Sequence, residues 1–134
     1  MSVSNLRTRR DNQQWMLDLA LNMRGRVQNF ERDDWETPRR AHNYRMLPKM
    51  WRQKAEHDEA LGKQAEAQGF KSTATEHFDH AIEAYRMSQH PIFYDDNPVK
   101  LATYDKLCEM VDMRSEVAPY PIERVEVPFD EGRT

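Results

Sequence analysis

Helices in this 134-residue chain can run only where proline and glycine allow them. Proline is tolerated in a first helical turn, where its missing N–H would have no partner, and elsewhere the residue before it leaves helical geometry. Pro48 therefore opens a helix through Trp51, Ala55, Leu61, Gly62 and Ala65, which stops at Gly69. His90-Pro91 ends a second helix, and Asn97-Pro98 caps and opens a third. Pro119 and Pro121 forbid its continuation. No Ser-, Gly- or Pro-rich linker divides the chain, whose length suits one domain.

Within this frame the apolar residues follow helical spacing. In KSTATEHFDHAIEAYRM, Thr73 and Glu76 have capping-box spacing, and the row Ala74, Phe78, Ala81, Ile82, Tyr85 predicts one buried face. The third helix is read with a stripe of Leu101, Tyr104, Leu107, Cys108 and Val111, which makes Cys108 a small buried thiol. Nearer the N-terminus, Trp15, Leu19 and Met23, with Met16 and Val27 beside them, describe one face of a helix over Asp11 to Val27. Asp33 to Pro38 reads as a turn. Beyond Pro121 the spacing changes: Ile122, Arg124, Val125, Val127 and Phe129 alternate as in a strand. The predicted fold is mainly α, four to five antiparallel helices followed by one strand, with 1–29 an N-terminal helix, 30–119 the helical body and 120–134 the strand segment.

Composition narrows the classes of function. Apolar residues make up 38% and charged residues 32%, and no apolar run approaches the ~20 residues of a membrane span. The start, MSVSNLRTRR, lacks the apolar core of a secretory signal. A single cysteine permits no internal disulfide, so the chain is read as cytoplasmic with no membrane contact. Residues 1–54 carry twelve Lys/Arg against six Asp/Glu, and residues 55–134 eight against seventeen. The basic half is dispersed and its aromatics form no nucleic-acid module, so no nucleic-acid partner is expected.

The chemical motifs are mostly negative. None of Ser2, Ser4, Ser72, Ser88 and Ser115 has a glycine within two positions, which excludes a nucleophile elbow, and the scarcity of glycine excludes a phosphate-cradling loop. Glu76, His77 and His80 could share a helical face, but no second ligand pair has a recognisable spacing and His57 lies on the preceding helix. They are read as solvated histidines or a packed rim, and no metal or cofactor is expected. Asp95 and Asp96 favour the positive end of the helix after Asn97 over acid/base chemistry. Leu61 to Ile82 has much of the spacing of a tetratricopeptide unit, yet the period is not sustained 34 residues on or back. It is one helical hairpin.

The run WRQKAEHDEALGKQAEAQGFKSTATEHFDHAIEAYRMSQHPIFYDD, a helix with Lys106, and PYPIERVEVPFDEG together resemble the N-terminal portion of an α/β-hydrolase family. That family includes 2,6-dihydroxypseudooxynicotine hydrolases, fungal heptaketide-shortening hydrolases and relatives of the fermentation–respiration switch protein. The likeness spans about Phe30 to Gly132 and rests on W-x3-A…LG-x6-G, A-x3-F-x2-A and ERVEVPF. It implies that the helices form a lid over a serine-hydrolase domain and that ERVEVPF is that domain's first strand. The Ser, Asp and His triad would then lie downstream of Thr134, with no catalytic residue within the 134. The implied substrate is an aromatic or polyketide-like ketone or ester, cleaved beside a carbonyl, in a homodimer. His90, Phe93 and Tyr94, with Tyr85 and Met87 behind them, are the expected pocket wall, or else the ordinary packing of a helix junction. A free-standing helical adaptor that binds a protein through the Leu61–Ile82 hairpin is the alternative.

Overall fold

A computed structural model describes residues 14–16, 18, 19 and 36–127. Four α-helices dominate: α1 (Glu36–Arg40), α2 (Leu47–Ala67), α3 (Lys71–Gln89) and α4 (Pro98–Val117), with one 3-10 turn at Tyr44–Met46. No strand occurs among the described residues, and none of their helices is long and apolar enough to cross a membrane. Residues 121–127 take up neither helix nor strand, and Phe129 of the expected strand lies outside the described residues.

The helix ends follow the punctuation closely. Pro48 sits in the first turn of α2. Gly69 adopts φ +80°, a left-handed conformation that glycine enters without steric cost. It ends α2 by donating to Glu66 O at 2.9 Å while Phe70 N–H donates to Ala65 O at 2.9 Å, a Schellman closure. The chain re-enters a helix at once, so α3 begins at Lys71, ahead of the expected Thr73–Glu76 box, and Phe70 caps it without a side-chain bond. That correction has a local cause: the Schellman turn consumes only Gln68 to Phe70 and leaves Thr73 already helical. Asn97 caps α4 as expected, its Oδ1 accepting from Val99 N–H at 2.9 Å and Lys100 N–H at 3.3 Å. The turn expected over Asp33–Pro38 gives way at Glu36 to α1, which holds Pro38 in its opening turn.

Helices α2 and α3 form an antiparallel hairpin. Phe78 is fully buried against Gly62, whose missing side chain is required: a Cβ there would lie 2.6 Å from Phe78 Cδ1 and Cε1. At the open end, buried Ser88 Oγ donates to Pro48 O at 2.6 Å. Trp51, Ala55 and Ala65 of α2 meet Ala74, Ala81, Ala84 and Tyr85 of α3 in the core. Helix α4 lies antiparallel to α3, and Arg114 donates to Asp79 Oδ1 at 2.9 Å and to Tyr120 Oη at 2.9 Å.

Two expected faces are rotated. On α4 the core receives Thr103, Met110 and Val117, with Leu107 and Met113 packed at its margin. The rest of the expected stripe points outward: Leu101 is 51%, Tyr104 53% and Val111 40% exposed, and Cys108 is half-buried between them. With this face inward, Arg114 reaches Asp79 and Lys106 reaches Glu59. Among the helical residues 14–16, 18 and 19, Gln14 turns toward the body and its Oε1 accepts from Tyr44 N–H at 3.0 Å. Trp15 and Leu19, 62% and 50% exposed, therefore face away; Met23 and Val27 lie outside the described residues.

Candidate functional site

A groove of about 600 Å³ opens where α2, α3 and the start of α4 converge. At its floor stands Glu59, only 8% exposed although it is a carboxylate. Such a group is retained in a core only when its oxygens are satisfied. Each neighbouring helix contributes. Tyr85 Oη of α3 donates to Oε2 at 2.6 Å; Lys63 of α2 and Lys106 of α4 donate to Oε1 at 2.5 and 3.2 Å. Lys106 is also paired with Glu109 Oε2 at 2.9 Å.

Burial works to raise the Glu59 carboxyl, but the hydrogen bonds from Lys63, Tyr85 and Lys106 outweigh it and hold it below the ordinary value. Burial, then the bond to Glu59, pushes the Tyr85 hydroxyl well above the usual phenol range. The pair is therefore a charged carboxylate and a neutral phenol. Neither is poised as a proton-transfer group near neutrality. The network ties three helices together beneath the groove. Ala60, Val99 and Ala102 give it apolar walls, and Arg52, Lys63 and Lys106 stand at its edges, paired with the carboxylates of Glu56, Glu59 and Glu109.

Of the expected pocket residues, Tyr85 alone lines this groove. His90, Phe93 and Tyr94 lie exposed in the α3–α4 connection. Met87 packs at the core margin, with Arg86 Nη2 donating to its sulfur at 3.5 Å. The structure does not bring these five together. The pocket reading omitted the rest of the lining, Glu59 and Lys106 among it. The signal for Glu59 in the sequence is a charged residue inside the buried row of α2, between Ala55 and Gly62.

Asp95 pairs with Lys100 Nζ at 2.6 Å, and that hydrogen bond lowers its carboxyl below the usual range. On the opposite side of the hairpin, Asp58 of α2 approaches His77 and His80 of α3, the one group of metal-type side chains among the described residues. His57 and Glu76 are exposed and stand outside it. Comparisons with protein-family models, curated proteins and solved structures find no match to this chain.

Proposed function

We propose that these helices act as the lid of an α/β serine hydrolase whose catalytic triad is supplied by residues outside this sequence. The observation that carries the reading is the second apolar stripe of α4: Leu101, Tyr104 and Val111 face away from a core that α4 already completes with Thr103, Met110 and Val117. A helix apolar on two sides is one with two neighbours, and within the described residues α4 has only one side covered. The apolar residues Ile122, Val125 and Val127 are exposed too, in a segment whose alternation suits a strand laid into a larger sheet. A lid of this kind excludes water, which strengthens the stabilisation of an oxyanion beneath it.

In this reading the groove over Tyr85 and Glu59 faces the substrate, an aromatic or polyketide-like ketone or ester, and its charged edges hold the polar end. The exposed pair Trp15 and Leu19 offers a separate patch for pairing two chains as a homodimer. The alternative is an adaptor that docks a protein through the Leu61–Ile82 hairpin, whose inner small-residue contact is Gly62 against Phe78.

The test is to treat the native gene product with a fluorophosphonate probe and map the labelled peptide. The proposal expects one labelled serine, in a G-x-S-x-G context outside these 134 residues. Failure of any serine to react, in a folded native product, overturns it in favour of an adaptor.

A further inference from the structure

We propose that Asp58, His77 and His80 form a binding site for a divalent ion of the zinc type, clamped between α2 and α3. The site stands apart from the groove and from the outer face of α4, and it does not depend on the lid reading.

The hairpin geometry creates it. Close approach of the two helices at Gly62 and Phe78 draws the preceding turn of α2 onto the residue beside Phe78, which is His77. His80, three residues on, lies on the same side, with the two imidazole rings edge to face and their centroids 6.4 Å apart. One ligand atom from each of Asp58, His77 and His80 lies within 4.8 Å of the other two. Around a four-coordinate zinc, ligand atoms bound at ~2.0–2.2 Å stand ~3.5 Å apart, and His80, exposed at the surface, can close the difference by turning its side chain.

A second observation points to a missing partner. His77 Nδ1 is buried and makes no hydrogen bond, the one such side-chain atom among the described residues. The nearest acceptor, Asp58 Oδ1, is 3.6 Å away, too far for a hydrogen bond though near enough for a shared ion. Buried polar atoms are otherwise satisfied in folded proteins, and a cation between Nδ1 and Oδ1 would satisfy both. Asp58 is itself only 5% exposed. Its other oxygen, Oδ2, accepts from Lys54 Nζ at 2.8 Å. That bond aims Oδ1 at the histidines, as a group behind a metal ligand commonly does. Its ammonium also opposes a second positive charge, which limits the affinity.

The ligand chemistry selects the ion. Two imidazoles and one carboxylate suit zinc and its borderline neighbours, whereas magnesium and calcium require all-oxygen shells. Three protein ligands leave a fourth position for water or an exchangeable ligand.

The deciding experiment titrates ZnCl₂ into the chelator-treated chain, carrying no histidine tag, in competition with a chromophoric chelator. Binding of one zinc per chain is expected. His80→Ala removes an exposed ligand and should leave the zinc-free melting curve unchanged while weakening binding by at least about tenfold. Asp58→Asn should weaken it likewise, and His57→Ala, one residue outside the cluster, should not. Cobalt added in place of zinc should give the visible absorption of a tetrahedral site in the parent and lose it in His80→Ala. No zinc uptake, or uptake that survives His80→Ala, or equal loss in His57→Ala, overturns the proposal.

Discussion

Replacing Gly62 by alanine should destabilise the protein even though alanine is the better helix former. The exchange gains about 1 kcal/mol of helix propensity. Against this, the new Cβ meets Phe78 Cδ1 and Cε1 at 2.6 Å and Cζ at 3.2 Å, and Phe78 is fully buried with nowhere to retreat. Overpacking of this kind costs about 2–3 kcal/mol. The net is a loss of roughly 1–2 kcal/mol, a fall in Tm of about 4–8 °C for a domain of this size. The decisive assay is urea unfolding followed by far-UV circular dichroism, run on a double-mutant cycle with Phe78→Leu. Shortening Phe78 vacates the space that the alanine methyl needs, so in that background Gly62→Ala should stabilise by up to about 1 kcal/mol. A Gly62→Ala chain that is more stable than the parent, or a cycle with no coupling, would refute the close-approach reasoning.

Other consequences are equally direct. Tyr85→Phe removes one donor from the buried Glu59 carboxylate and should cost about 1–3 kcal/mol in urea unfolding at neutral pH. Because Glu59 titrates below its ordinary value of about 4.5 when folded, its contribution is complete above that pH and drains as the pH falls through the folded value. Glu59→Gln should therefore flatten the acid limb of the stability profile. Tyr85 is shifted the other way, so its contribution holds below about pH 10 and is lost as the pH rises beyond it, a limb that Tyr85→Phe should remove. Asn97→Ala deletes the α4 cap and should cost about 1 kcal/mol in thermal unfolding. Tyr104→Glu, on the outer face of α4, should change the stability of the isolated chain by less than about 0.5 kcal/mol, and under the proposed lid reading it should depress ester turnover by the native gene product.

The helix ends were legible because proline and glycine act locally: Pro48, Gly69, Asn97-Pro98 and Pro119 each set a boundary through the residue itself or its neighbour. The meeting of Gly62 and Phe78 was legible for a related reason, since only a residue without a side chain admits a ring at that place. The faces were not. Helix α4 carries two rows at helical spacing, about a third of a turn apart, and the two are equally apolar: Leu107, Met110, Met113 and Val117 on one, Leu101, Tyr104, Cys108 and Val111 on the other. The inner row is the one whose burial goes with long-range contacts, Arg114 with Asp79 and Lys106 with Glu59, which no local pattern announces. The aromatic run after His90 is exposed in the short connection between α3 and α4, and its composition alone does not tell which surface would cover it. Asp58 escaped notice beside His77 because nineteen residues separate them, and only the hairpin makes them neighbours.

The claim that organises the rest is that the outer stripe of α4 is covered in the working protein. Cys108, the single cysteine of this sequence, sits half-buried within that stripe and serves as its reporter. Its alkylation rate, read by mass spectrometry of the Cys108 peptide, can be compared between the isolated 134-residue chain and the native gene product. A covered stripe predicts at least about tenfold slower reaction in the native product, an opening free energy of about 1.4 kcal/mol or more. Equal rates would mean that α4 meets only water there.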